Sequence, residues 1–388
     1  MGLFTRRDAL ALGLAAAASP AFADPAPASF PQPSLDALAR AKGLRFGSAI
    51  GTGLKGGRTA SFGDPQYRAV MTAECGLLVC ENEMKWYALR PDATSFQFGP
   101  ADRLVAFAEA NHMAVRGHNL LWQRPDYFPK WFASFDLGAR PASTLERLLV
   151  SHIHAVCGYY GDRVISWDVV NETIDHDTGK MRDTVFTQYL GPEVIDIAFA
   201  AAREAAPHAQ LVYNDYMGWE AGNERHRDGV LQLLSDLKTR KAPVDALGVQ
   251  SHIGADNPDK FDGFGKSQPT QWRAFLDGVT GLGFDLAITE FDVNDLGLPT
   301  DVAARDKGVA DYARAYLDLM LSYPQLKDVL VWGVVDKYSW LQDLKPRPDG
   351  TPKRPTPYDG DYQPKAFRTA IAEAFANAPA RTPRSAAG

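Results

Sequence analysis

Two glutamates stand where a chain rarely puts a charge. Glu172 closes the apolar run "VISWDVVNE", and Glu290 closes "LAITE". Runs of this kind make strands buried on both faces, and a strand that ends on a carboxylate brings it to the rim of a sheet. A pair of carboxyls flanking a glycosidic bond is the usual apparatus of glycoside hydrolysis. One must be protonated to help the leaving group depart, and the other ionised to attack carbon or activate water. The neighbours suggest which is which. Asp292 lies two residues beyond Glu290, and His252 stands on the neighbouring strand; a histidine held between two carboxylates keeps Glu290 ionised. Glu172 has Asn171 beside it, Trp167 upstream and no sequence-adjacent cation, so it is the better acid.

Other residues at strand ends suit a sugar. Pyranose rings present apolar C–H faces that stack on indoles, while their hydroxyls need paired donors and acceptors. Trp122, Trp332 and Trp340, with Tyr216, supply the first; Asn82, Lys85, His118, Asn171 and Gln250 supply the second. Glu81 and Asn214 fall at comparable places. Taken singly, each has a bland explanation: a glutamate after a strand caps a helix, a histidine or tryptophan fills a core. Metal binding by His118, His252, Glu81 and Asp292 would lack the close i, i+2 or i, i+4 spacing of common hydrolase metal sites. No G-x-S-x-G is present for a nucleophilic serine. No metal or cofactor is expected.

What could hold these groups together is a repeated unit. Short β-rich runs recur at 44–51, 77–84, 114–122, 164–172, 210–216, 246–253, 286–293 and 328–336, separated by stretches long enough for a helix. "ADRLVAFAEANHM" shows the helical spacing, with Leu104, Val105, Phe107, Ala108 and Met113 on one face and Asp102 near its start. Such alternation implies parallel βα units with right-handed crossovers. Eight of them predict an α/β fold, a (β/α)8 TIM barrel in a single domain, rather than an open doubly wound sheet. No Gly-rich dinucleotide fingerprint follows the first run, which weighs against the open sheet. Apolar residues come first on nearly every strand and polar or aromatic ones follow, and a parallel barrel gathers those ends on one face.

The motifs "ENEMKW" (81–86), "RGHNLLW" (116–122), "WDVVNE" (167–172), "YNDY" (213–216), "GVQSHI" (248–253), "ITEFDV" (288–293) and "WGVVDKYSW" (332–340) resemble, in order, those of the family 10 glycoside hydrolases, the endo-β-1,4-xylanases. The resemblance implies a barrel that cleaves internal β-1,4 links of xylan with retention, with Glu172 as acid/base and Glu290 as nucleophile. It implies that His252 and Asp292 support the nucleophile, that Glu81, Asn82 and Lys85 bind sugars on the non-reducing side, and that His118, Trp122, Asn171, Gln250, Trp332 and Trp340 surround the cleavage point. Xylan and xylo-oligosaccharides are then the expected partners of a monomer. A glucan-preferring barrel glycosidase and a catalytically dead sugar-binding protein are the competing readings; the presence of both glutamates with His252 and Asp292 opposes the latter. Two positions depart from the family: Gln123 stands where histidine is common, and Val79–Cys80 where threonine-proline is common.

The chain ends bound the context. Residues 1–23 read as a twin-arginine signal peptide, with Arg6 and Arg7 before an apolar stretch too short to span a bilayer and a small-x-small site at Ala21–Ala23. An exported protein, periplasmic or extracellular and not membrane-bound, is expected. Residues 24–43 form a Pro-rich leader, 44–377 the catalytic domain and 378–388 a flexible tail. The formal charge of −6 without a basic block argues against a nucleic-acid partner. Three cysteines cannot make a disulfide framework and are expected as buried thiols.

Overall fold

The computed structural model describes residues 30–254 and 264–382. Within them, eight strands alternate with helices: β1 (Arg45–Ile50), β2 (Leu77–Cys80), β3 (Ala114–Trp122), β4 (Ser166–Asn171), β5 (Gln210–Asp215), β6 (Ala246–Val249), β7 (Asp285–Val293) and β8 (Leu326–Val331). Each pairs in parallel with the next, and β8 returns to β1 through Arg45↔Asp328, so the sheet closes on itself. This is the expected (β/α)8 barrel. A two-residue strand, His252–Ile253, prolongs β6 and pairs His252 with Asp292.

The helices behind the strands form for local reasons. Helix α1 (Pro65–Glu74) starts on Asp64, whose carboxylate accepts the amides of Gln66 and Tyr67, with Pro65 set for the first turn. The helix after β4, Glu193–Ala205, turns Val194, Ile195, Ala198, Phe199, Ala201 and Ala202 inward, an apolar stripe at helical spacing that seats it on the sheet. Inside the barrel, Ala49, Leu77, Val79, Leu330 and Trp332 pack together, so the interior is a core rather than a channel. Gly117 is required there: a Cβ at that position would lie 2.1 Å from the Trp167 ring.

The ends of the fold differ from the sequence expectation. The predicted leader at 24–43 already contains a helix, Leu35–Arg40, capped by Ser34 and fastened by the Leu35 amide donating to Glu74 at 2.7 Å. The predicted tail begins packed: Ala378 is buried, and Arg381 donates through its backbone to Lys42 and through its guanidinium to the Leu321 carbonyl. These segments bury apolar and polar groups that composition alone made look solvated. The predicted signal peptide lies outside the described residues. Cys75, Cys80 and Cys157 are buried free thiols. No helix among the described residues is long and apolar enough to cross a membrane.

Candidate active site

The register of the strands sets the site. The Glu172 amide donates to the Asn214 carbonyl, that of Gln250 to Asp215, that of Glu290 to Gln250 and that of Trp332 to Phe291, each at 2.9–3.0 Å. One ladder thus runs around the C-terminal mouth and brings residues far apart in sequence to one level. Glu172 takes a left-handed φ of 54° there, as does Ser251 at 64°. A bulky residue in that region is strained, and strain of this kind collects at functional sites.

The mouth opens into a cavity of about 400 Å³, lined among others by Glu81, Asn82, Lys85, His118, Trp122, Asn171, Glu172, Tyr216, Gln250, His252, Glu290, Trp332 and Trp340. That volume suits a small ligand. Thirteen of the fifteen site residues expected from sequence therefore face one space. The other two stand behind it. Asp292 accepts from His252 Nδ1 at 2.9 Å and from Trp340 Nε1 at 2.8 Å, which fits a supporting place. Asn214, expected to touch substrate, is instead fully buried. Its amide donates to Glu290 Oε1 and to Asn171 Oδ1, both at 2.8 Å, and its oxygen accepts from Thr289 at 2.7 Å. Its side chain is turned into the packed interior, and these bonds orient Glu290.

The two glutamates sit in opposed environments, although both are nearly buried. Burial alone would raise Glu290, but attraction to His118, the hydrogen bond and charge of His252, and Lys85 outweigh it and hold the carboxyl at about 2. His252 Nε2 lies 3.3 Å from Glu290 Oε2. Burial would lower the histidine, yet Asp292 and Glu290 hold it protonated up to about 10. For Glu172 burial wins and raises the carboxyl above its ordinary range, although Gln250 Nε2 donates to Oε1 at 2.9 Å. The cation absent from its sequence neighbourhood is supplied across the fold: Arg124 Nη1 approaches Glu172 Oε2 to 3.5 Å.

The polar wall is equally tied down. His118 Nδ1 lies 2.9 Å from Asp168, whose other oxygen accepts from Arg116 at 2.6 Å, all three buried below the mouth. Tyr87 donates to Asn82 Oδ1 at 2.7 Å, and Lys85 Nζ sits 4.6 Å from the Trp122 ring centre. Burial raises Glu81 despite Lys85 beside it. Sequence reasoning missed Lys55, Thr59, Tyr87, Arg124, Tyr127 and Leu344, which also line the cavity. They come from loops and single short turns between strand and helix, such as Trp86–Leu89 and Pro125–Tyr127, too short for a periodicity to say which way a side chain points; Arg124 following Trp122 by two residues was the one available signal. The described residues contain no group of three His, Cys, Asp or Glu side chains that could hold a metal.

Two carboxyls of opposed acidity facing one aromatic-walled cavity at the mouth of a barrel define a glycoside hydrolase. Residues 34–374 match the family model described as Glycosyl hydrolase family 10. The chain belongs to that family. It is 32% identical over 339 residues to endo-1,4-beta-xylanase 3 of Hypocrea jecorina (strain QM6a), covering 87% of this chain and 84% of the relative. It is 31% identical over 308 residues to endo-1,4-beta-xylanase B of Thermotoga neapolitana, covering 79% and 83%. Among solved structures, native xylanase 10B from Thermotoga maritima superposes with a TM-score of 0.76 at 31% identity, covering 88% of this chain and 98% of that one. Xylanase 10B from Thermotoga petrophila RKU-1 in complex with xylobiose gives 0.75 at 31% identity, covering 90% and 98%.

Proposed function

We propose that this protein is a retaining endo-1,4-β-xylanase, with Glu290 as nucleophile and Glu172 as general acid/base. The observation that carries the reading is the opposed state of the two buried carboxyls, Glu290 held at about 2 and Glu172 raised. In the first step a Glu290 oxygen attacks the anomeric carbon. The bond to the glycosidic oxygen breaks as Glu172 passes its proton to that oxygen, and a glycosyl ester remains on Glu290. In the second step Glu172, now a carboxylate, takes a proton from water. The water oxygen attacks the same carbon, Glu290 departs, and two inversions return the β configuration. His252 and Asp292 support the charge and direction of Glu290. Trp122, Trp332 and Trp340 stack on the sugars; Glu81, Asn82, Lys85, His118, Asn171, Tyr216 and Gln250 meet their hydroxyls.

Xylan is the substrate favoured by the relatives, whose names are endo-1,4-beta-xylanases, and by the xylobiose held in a structural neighbour. The signal peptide read at 1–23 supports export. The test is product analysis on xylan, cellulose and aryl β-xylosides, with the first-formed anomer followed by proton NMR. Oligosaccharides from internal cuts in xylan, initially β, are expected. Initial α product, or cellulose cleaved faster than xylan, overturns the reading.

A further inference from the structure

Position 123 and its neighbour face opposite ways at the mouth. Gln123, standing where histidine is common, is fully buried and turned away from the cavity, with its oxygen accepting from Thr184 Oγ1 at 2.9 Å. The next residue enters instead. Arg124 precedes Pro125, whose ring disfavours a helical backbone at the residue before it, and Arg124 is extended at φ −119°, ψ 110°. That conformation carries its side chain along the cavity wall to Glu172.

The two oxygens of Glu172 are thereby made unlike. Oε1 takes neutral amide donors, Gln250 Nε2 at 2.9 Å and Asn171 Nδ2 at 3.3 Å. Oε2 faces the Arg124 guanidinium at 3.5 Å. We propose that Arg124 is a positioning residue for the acid step, setting the acidity of Glu172 through Oε2. This rests on Glu172 being the acid. As the proton moves from Oε2 to the glycosidic oxygen, negative charge appears beside a fixed cation, and the guanidinium stabilises it at the moment it forms. The same cation makes Glu172 a weaker base in the second step, so its benefit falls on substrates with poor leaving groups.

Other charges act on Glu172, and their placement leaves room for this role. Lys85 is shared with Glu81 and Glu290 and lies over Trp122. Arg182 bonds the Glu172 backbone oxygen at 3.2 Å and sends its guanidinium to Asp175 and the Tyr216 hydroxyl. Asp215, on β5, opposes ionisation, and Tyr127 lines the same cavity. The side chain of Arg124 is itself 29% exposed, so replacing it leaves the core alone.

The experiment compares wild type, Arg124→Gln and Arg124→Lys in kcat/KM against pH, on xylan and on 2,4-dinitrophenyl β-xylobioside, whose leaving group needs no proton. Losing a cation that favours the carboxylate raises the pKa of Glu172. The alkaline limb on xylan should therefore move up by about one pH unit in Arg124→Gln and return in Arg124→Lys. Below that limb, kcat/KM on xylan should fall about tenfold and that on the activated glycoside less than twofold. An unmoved limb, equal losses on both substrates or no recovery with lysine overturns the proposal for Arg124. A wild-type profile with no alkaline limb refutes instead the assignment of Glu172, on which the proposal stands.

Discussion

Replacing His252 with glutamine removes a charge from beside Glu290 while keeping a side chain able to donate a hydrogen bond. In the native site Nε2 lies 3.3 Å from Glu290 Oε2, and both groups are nearly buried. At an effective dielectric constant of about 20, two unit charges at that separation attract by about 5 kcal/mol, a ceiling of between three and four pKa units. Lys85, His118 and the Asn214 amide remain in the variant, and water enters the space, so about half of the ceiling is expected. Asp292 loses its partner at Nδ1 and adds a little repulsion. The carboxyl should rise from about 2 to about 4. The assay is kcat/KM on the activated aryl xylobioside from pH 3 to 7, where the acid limb would report ionisation of Glu290. Wild type should stay flat down to the lowest pH at which it remains folded. His252→Gln should fall tenfold per unit below about pH 4. A variant profile that stays as flat as wild type would refute the claim that the imidazolium keeps Glu290 ionised.

The remaining predictions test other joints of the argument. Glu172→Ala should accept azide to give the β-glycosyl azide and Glu290→Ala the α-glycosyl azide; the same anomer from both would refute the assignment of roles. Lys85→Ala should reduce kcat/KM on xylan by about 1–3 kcal/mol of transition-state binding with a melting temperature within a few degrees of wild type, and a collapse in melting would mean the lysine is structural. Gly117→Ala drives a methyl to 2.1 Å from Trp167 in a packed interior, so chemical denaturation should show a loss of about 1–3 kcal/mol or more; unchanged stability would mean the ring can move aside. Holding His252 at about 10 adds stability that is complete below its ordinary 6.5 and lost as pH rises through 10, so His252→Gln should narrow the melting difference from wild type between pH 7 and 10, and a constant difference would contradict it.

Much of this protein is written along single strands and helices. The strand-forming runs, the helical spacing of segments such as Leu104 to Met113, and the polar turn at each strand end are local properties, and they led to a barrel and to its catalytic face. The same holds for His252 and Asp292: adjacent parallel strands brought to one level make them neighbours whatever the loops do. What sequence left undecided depends on distance through space. Asn214 reads as a mouth residue, yet its side chain is fully buried and donates to Glu290 instead of facing the cavity. Glu172 has no cation in its own segment and finds one in Arg124, because two loops from neighbouring strands share a rim. Lys55, Tyr87 and Tyr127 reach the cavity from a loop and two single turns whose path is set by packing rather than by any repeat. The helix at 35–40 sits inside a stretch that composition marks as leader, and it docks through partners far away in sequence: Glu74 takes the Leu35 amide, the Phe46 amide donates to Asp36, and Leu35 and Ala39 join the core. A period of two or of 3.6 residues tells a side chain which face to take, whereas its partner is chosen by the shear of the closed sheet and the course of its loops.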